Sequence, residues 1–152
     1  MYLLLGSGCP SPKPTGEADP KQLLSPIEFQ VFEKVNDYRI SKNLPPLVLE
    51  ERLIAPTRLH SSNMSNGIVA FSHEGFDQRV NQSGVTYVAA AENIAWNQGY
   101  ADPAAQVVTG WVQSEVHRNN IEGDFNLTGV GVIQNDSGRY YYTQWFLKAN
   151  NN

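Results

Sequence analysis

The stretch that decides the fold is Thr128-Gly129-Val130-Gly131-Val132-Ile133-Gln134, then Asn135-Asp136-Ser137-Gly138, then Arg139-Tyr140-Tyr141-Tyr142-Thr143-Gln144-Trp145-Phe146-Leu147. Two runs rich in β-branched and aromatic residues flank a four-residue turn cluster. That is the pattern of an antiparallel hairpin, with strands over 128–134 and 139–147. Helix-type spacing dominates the chain before it. Helices followed by a hairpin argue for α+β layers rather than a parallel sheet.

Working back from the hairpin, Asp102-Pro103 opens a helix that runs to Asn119-Asn120. Asp102 can cap it and Pro103 suits its first turn. Ala104, Val107, Val108 and Trp111 point one way, while Gln106, Gly110, Gln113 and His117 form a polar stripe. His117 therefore faces a cleft or solvent. Helix geometry alone favours a surface or capping imidazole near the C-terminus, where a partly cationic ring suits the dipole.

The segment 85–95 contains a strand that finishes at Glu92-Asn93-Ile94. A carboxylate at the end of a half-buried strand needs a backbone N–H, a histidine or a metal as partner. Residues 77–82 read as a short helix ended at Gly84, and Phe71-Ser72-His73-Glu74-Gly75 as a loop. A further helix spans about 50–66, closed by Gly67. Leu53, His60 and Met64 share one face of it. Taken alone, His60 is a hydrogen-bonded core histidine. Pro56 predicts a bend there or a late helix start. Ser25-Pro26-Ile27-Glu28 carries a capping box, and Ile27, Val31, Val35 and Tyr38 follow at helical spacing until Asn43 and Pro45-Pro46.

Residues 1–22 read as a leader and linker, and 23–149 as one folded domain. Pro10, Pro12, Pro14, Gly16 and Pro20 stand in a stretch with little to bury. Small residues after a Leu run and before Cys9 resemble a bacterial lipoprotein signal ending, which makes Cys9 the expected lipidation site. Gly6 occupies the usual aliphatic position, and a basic n-region is missing. A lone cysteine permits no intrachain disulfide and no thiolate metal site within the domain. The net charge is −4, with Lys and Arg scattered. Without a basic stripe, no nucleic-acid partner is expected. A monomer is expected, touching a membrane only through a Cys9 anchor.

No Gly-x-Ser-x-Gly elbow, phosphate loop or His-Glu-x-x-His zinc helix is present. The separated segments Leu53…His60-Ser61…Met64, Phe71-Ser72-His73, Glu92-Asn93-Ile94-Ala95, Gly110-Trp111…Ser114…His117-Arg118-Asn119-Asn120-Ile121, Thr128-Gly129-Val130-Gly131-Val132 and Tyr142-Thr143-Gln144-Trp145-Phe146 together resemble the CAP superfamily. The match is to its bacterial, cysteine-poor SCP-like branch, and it covers about 23–148. The resemblance implies a three-layer α/β/α sandwich with a central antiparallel sheet. It also implies an extracellular or cell-envelope location and a central cleft. His73 matches the first cleft histidine and Glu92 the cleft glutamate. His117 and His60 match histidines of the bacterial branch. Tyr141 stands where eukaryotic members place a second cleft histidine, and Ser114 where they place a helix glutamate. The eukaryotic metal site therefore does not carry over whole.

Three readings of function follow. In the first, the cleft binds a small polar ligand, a lipid, a cell-wall glycan or a zinc-like divalent cation. His73, His117, Glu92 and His60 are the candidate ligands to the cation. In the second, the protein is a hydrolase. Its catalytic residues would be drawn from Glu92, His73 and His117, with Glu92 as base to a metal-bound water, or Ser72 or Ser114 would pair with a histidine. In the third, it is a structural domain of the envelope. Fold analogy does not choose among them.

Overall fold

A computed structural model describes residues 18–150; the leader and Cys9 lie outside the described residues. In chain order the elements are α1 (Pro20–Leu23), α2 (Pro26–Ser41), β1 (Val48–Leu49), a 3-10 turn (Glu51–Leu53) and α3 (Ile54–Ser65). They continue with α4 (Phe76–Asn81), β2 (Ala89–Asn97), α5 (Pro103–Gln113), α6 (Glu115–Ile121), β3 (Leu127–Gln134) and β4 (Tyr140–Lys148).

The hairpin forms as its alternation predicts. β3 and β4 pair antiparallel, with Val130 opposite Gln144 and Gly131 opposite Thr143. Asn135 Oδ1 closes the turn by accepting from the N–H groups of Ser137 and Arg139 at 3.1 and 2.9 Å. β2 pairs antiparallel with β4, and β1 adds to β3 in parallel, giving the order β1-β3-β4-β2. The sheet is therefore mixed. Its three long strands are antiparallel as expected, and a two-residue parallel edge joins them.

Side-chain alternation then builds the layers. Val130, Val132, Tyr142 and Phe146 pack with Val31 and Val35 of α2 and Val107, Val108 and Trp111 of α5. On the opposite face Trp145 and Leu147 pack with Leu53 and with Val80 of α4. Helices cover both faces, which is the α/β/α sandwich. The glycines of Thr128-Gly129-Val130-Gly131-Val132 have a specific purpose. A Cβ on Gly129 would overlap Leu53, and one on Gly131 would overlap the Thr57–Arg58 backbone. The first turns of α3 lie directly on β3 because these two residues have no side chain.

The capping box of α2 is complete: Glu28 N–H donates to Ser25 Oγ, and Ser25 N–H to Glu28 Oε2 at 2.8 Å. The same carboxylate pairs with Arg58 of α3 at 2.6 Å and accepts from Val132 N–H at 3.0 Å. Arg39 of α2 is also buried, with its guanidinium spent on the carbonyls of Pro45, Ile121, Gly123 and Phe125.

Several boundaries differ from expectation. Pro56 produces a late start, since α3 begins at Ile54 and Pro56 occupies its first turn, where the missing N–H has no intrahelical acceptor to lose. Residues 20–22, assigned to the linker, lie in the turn α1, capped by Asp19. β2 outruns its expected end and reaches Asn97. The largest difference is at Ser114, where the single helix expected from Asp102 to Asn120 breaks in two. Ser114 is extended, at φ −92° and ψ 120°. Its N–H closes α5 on Gly110 and Trp111, and its carbonyl accepts from Arg118 to open α6. Serine is a weak interior helix residue because its hydroxyl competes for local partners. Here that hydroxyl meets His117.

Candidate functional site

Glu92 lies on β2 directly opposite Trp145 on β4, so both side chains leave the sheet on the α3–α4 face. Its Oε2 accepts from Trp145 Nε1 at 2.7 Å and from Arg79 Nη1 at 2.6 Å. Its Oε1 accepts from His73 Nδ1 at 2.7 Å and from Arg79 Nη2 at 3.1 Å. The side chain is 1% exposed. Burial alone would raise the carboxyl pKa. The hydrogen bonds from Arg79 and His73, the charge of Arg79 and the indole N–H outweigh it and hold the pKa below the ordinary value. Glu92 is thus an ionised carboxylate with both oxygens occupied.

Arg79, on α4, is the residue that sequence reasoning missed. A buried acid needs a partner, and Arg79 is the only basic side chain between His73 and Glu92 in the chain. The sequence shows the need for a partner, but only the packing of α4 on the sheet shows which cation supplies it. Its guanidinium also lies 5.8 Å from the ring centres of Phe76 and Trp145.

The three histidines occupy different depths. His73 stands in the loop before α4 with 53% of its side chain exposed. His60 is buried in α3, and its Nε2 donates to the Ser72 carbonyl at 3.0 Å, bracing the loop that presents His73. Burial, then the charge of Arg79, pushes the His60 pKa down. His117, on α6, is half-buried, and its Nδ1 is 2.8 Å from Ser114 Oγ. Its pKa is lowered by burial first and by the charge of His73 second, which places both imidazoles in one electrostatic neighbourhood. The structure therefore joins His73 to Glu92 directly. His117 stands within range of His73, and His60 lies behind the loop.

Asparagines lock the elements that carry these groups. Asn93 Nδ2 donates to the His117 carbonyl at 3.1 Å. Asn120 Nδ2 reaches Asn93 Oδ1 at 2.9 Å and the Glu92 carbonyl at 3.3 Å. Trp111 Nε1 donates to the Ile94 carbonyl at 3.2 Å. α5 and α6 thereby satisfy carbonyls on the outer edge of β2.

Two concavities flank this frame. One, of about 180 Å³, lies between β2 and the α5–α6 junction and includes Trp96, Gln106, Gly110, Ser114 and His117. The other, of about 500 Å³, lies between α3 and α4 beside Leu59, His60 and Arg79. The donor set does not fit a resident cation. Arg79 already neutralises Glu92. Among the described residues no group of three or more His, Cys, Asp or Glu side chains is placed to share a metal ion. Nor does Glu92 have a free lone pair suited to a general base. Of the two serines considered as nucleophiles, Ser72 Oγ accepts from the Glu74 N–H, and only Ser114 meets a histidine.

Comparison with known proteins agrees with this architecture. Residues 32–146 match the family model described as the cysteine-rich secretory protein family, CAP. The uncharacterized protein YkwD of Bacillus subtilis is 34% identical over 131 residues, covering 82% of this chain and 48% of that protein. The chain thus spans about half the length of its curated relative. Among solved structures, an extracellular SCP-domain protein of Bacillus anthracis aligns with TM-score 0.71 at 29% identity, over 89% of this chain and 45% of that one. An outer surface protein of Borrelia burgdorferi aligns with TM-score 0.72 over 88% of this chain and 97% of that one; at 15% identity it shows the fold alone. No helix among the described residues is long and apolar enough to cross a membrane.

Proposed function

This chain belongs to the CAP family, and we propose that within that family it serves as an extracytoplasmic binding module whose cleft takes a small polar ligand. The observation that carries the reading is the saturation of Glu92 by Arg79, His73 and Trp145. A carboxylate spent in this way acts as a clamp. It orients His73 and fixes α4 to the sheet, and it neither activates water nor holds a cation. The groups left to meet a ligand are the outer imidazoles and the Ser114 hydroxyl. The extracellular and outer-surface descriptions of the similar structures support the location.

The test is a ¹H–¹⁵N NMR titration of the full chain with N-acetylglucosamine, glycylglycine and inorganic phosphate. Saturable shifts at 92–96 and 114–117, lost in His117→Ala, support the cleft as a binding site. Silence at those amides with all three probes rejects it.

A second reading has one specific observation in its favour, the 2.8 Å approach of Ser114 Oγ to His117 Nδ1. A neutral imidazole there could accept the serine proton in acyl transfer. Mass spectrometry after treatment with phenylmethylsulfonyl fluoride decides it. An adduct on Ser114 that disappears in His117→Ala supports a hydrolase, and an unmodified chain rejects one.

A further inference from the structure

The groove beside α5 is built in a way that protein packing does not explain. Gly110 sits in the interior of α5, where glycine weakens a helix relative to alanine. A glycine inside a regular element is often kept because a neighbour approaches closely, as Gly129 and Gly131 of strand β3 show beneath α3. Around Gly110 the opposite holds, since apart from its chain neighbours and its own helix backbone no protein atom lies within 4 Å of the position a Cβ would take. Its φ is not positive either, so no turn requires it. The space belongs to the groove whose wall Gly110 forms.

The chemistry around that space is uniform. No Asp, Glu, Lys or Arg lines the groove. Its only titratable side chain is His117, which burial and His73 keep toward the neutral form. The remaining polar groups are neutral donors and acceptors. Ser114 and His117 are paired through Oγ and Nδ1, leaving His117 Nε2 without a partner among the described residues. Gln106 Oε1 accepts from Asn97 Nδ2 at 2.7 Å, which leaves the Gln106 Nε2 donor unpaired among the described residues. Trp96 stands on the β2 rim of the groove, while strand alternation sends its exposed ring to the sheet's other face, where Arg139 lies 4.2 Å from it. The volume, about 180 Å³, falls below the roughly 300–1,000 Å³ of sites for drug-sized ligands. It suits one ring.

We infer that this groove is a subsite for a single neutral saccharide ring. Gly110 leaves room for the ring, and Gln106 and the Ser114–His117 pair bond its hydroxyl or amide groups. The inference rests on the binding reading above and names the class of ligand that site takes. The residues that line the groove supply no fixed charge, so a charged ring finds no counter-charge inside it; Arg139 lies outside, over the Trp96 ring.

The test uses the full chain, N-acetylglucosamine, and glucose 6-phosphate as a charged ring of similar size. N-acetylglucosamine should shift the amides of 94–96, 106–110 and 114–117 saturably, and glucose 6-phosphate should not. Gly110→Ala places a methyl in the space without meeting any residue outside its own helix. It should raise the melting temperature yet weaken N-acetylglucosamine binding about tenfold or more. If Gly110→Ala raises the melting temperature and leaves binding unchanged, the subsite is refuted. If glycylglycine or phosphate binds the cleft and N-acetylglucosamine does not, the saccharide inference falls while the binding module stands. If no probe binds, both fall.

Discussion

Replacing Arg79 by methionine removes the guanidinium from Glu92 and from beside the Phe76 and Trp145 rings while keeping an unbranched apolar side chain. The carboxylate it leaves behind is 1% exposed, against 20% for Arg79 itself. Stripping one partner from a buried ion pair costs about 3–5 kcal/mol. Two donors survive here, His73 Nδ1 and Trp145 Nε1, both at 2.7 Å, and each can still bond the charged form. The expected loss is therefore about 2–4 kcal/mol at pH 7.5, read by urea denaturation with tryptophan fluorescence as the reporter. Burial is the largest influence on Glu92 and acts to raise its pKa. Without Arg79 the acid should titrate higher, and the deficit of the variant should shrink as the pH falls toward 5. Arg79→Met combined with Glu92→Gln should be more stable than Arg79→Met alone, because no orphan charge remains. A loss below about 1 kcal/mol, or a double variant no better than the single one, would refute the assignment of Arg79 as the counter-ion.

Acid should destabilise the domain in two stages. The folded pKa values of His60 and His117 lie below the ordinary 6.5, so their contribution is complete above that value and is lost as the pH falls toward the folded values. Glu28 and Glu92 lie below the ordinary 4.5 and add a second loss beneath it. Urea midpoints at pH 7.5, 5.5 and 4 should fall in order, and a midpoint that rises between 7.5 and 5.5 would contradict the histidine assignment. Gly131→Ala should cost about 1–3 kcal/mol or more, because the new methyl meets the α3 backbone; a neutral melting curve would show that α3 is free to lift. Ser25→Ala removes the cap of α2 and should cost about 1 kcal/mol by the same denaturation assay.

Where the fold was legible in the sequence, the signal was local. The hairpin is written in alternation around Asn135–Gly138, and the start of α2 in a capping box four residues long. The resemblance drew His73 and Glu92 to one cleft, and they meet at 2.7 Å. What escaped lay in pairings with no local periodicity. Glu28 reads as a cap, yet it also serves Val132, 104 positions away. β1 is two residues long and leaves no alternation to detect. The break at Ser114 depends on one residue's backbone angles, within a helical pattern that continues on both sides. It also changes the meaning of the stripe from Gln106 to His117, since a single helix no longer carries it. Arg79 was hidden for a related reason. The need of Glu92 for a partner was visible, but its identity required the packing of α4 on the sheet.

The most direct test of the saturated Glu92 is calorimetric titration of the full chain with zinc chloride at pH 7.5. Because Arg79 already balances this acid, no saturable heat of one ion per chain is predicted. A stoichiometric isotherm that vanishes in both Glu92→Gln and His73→Ala would contradict the account.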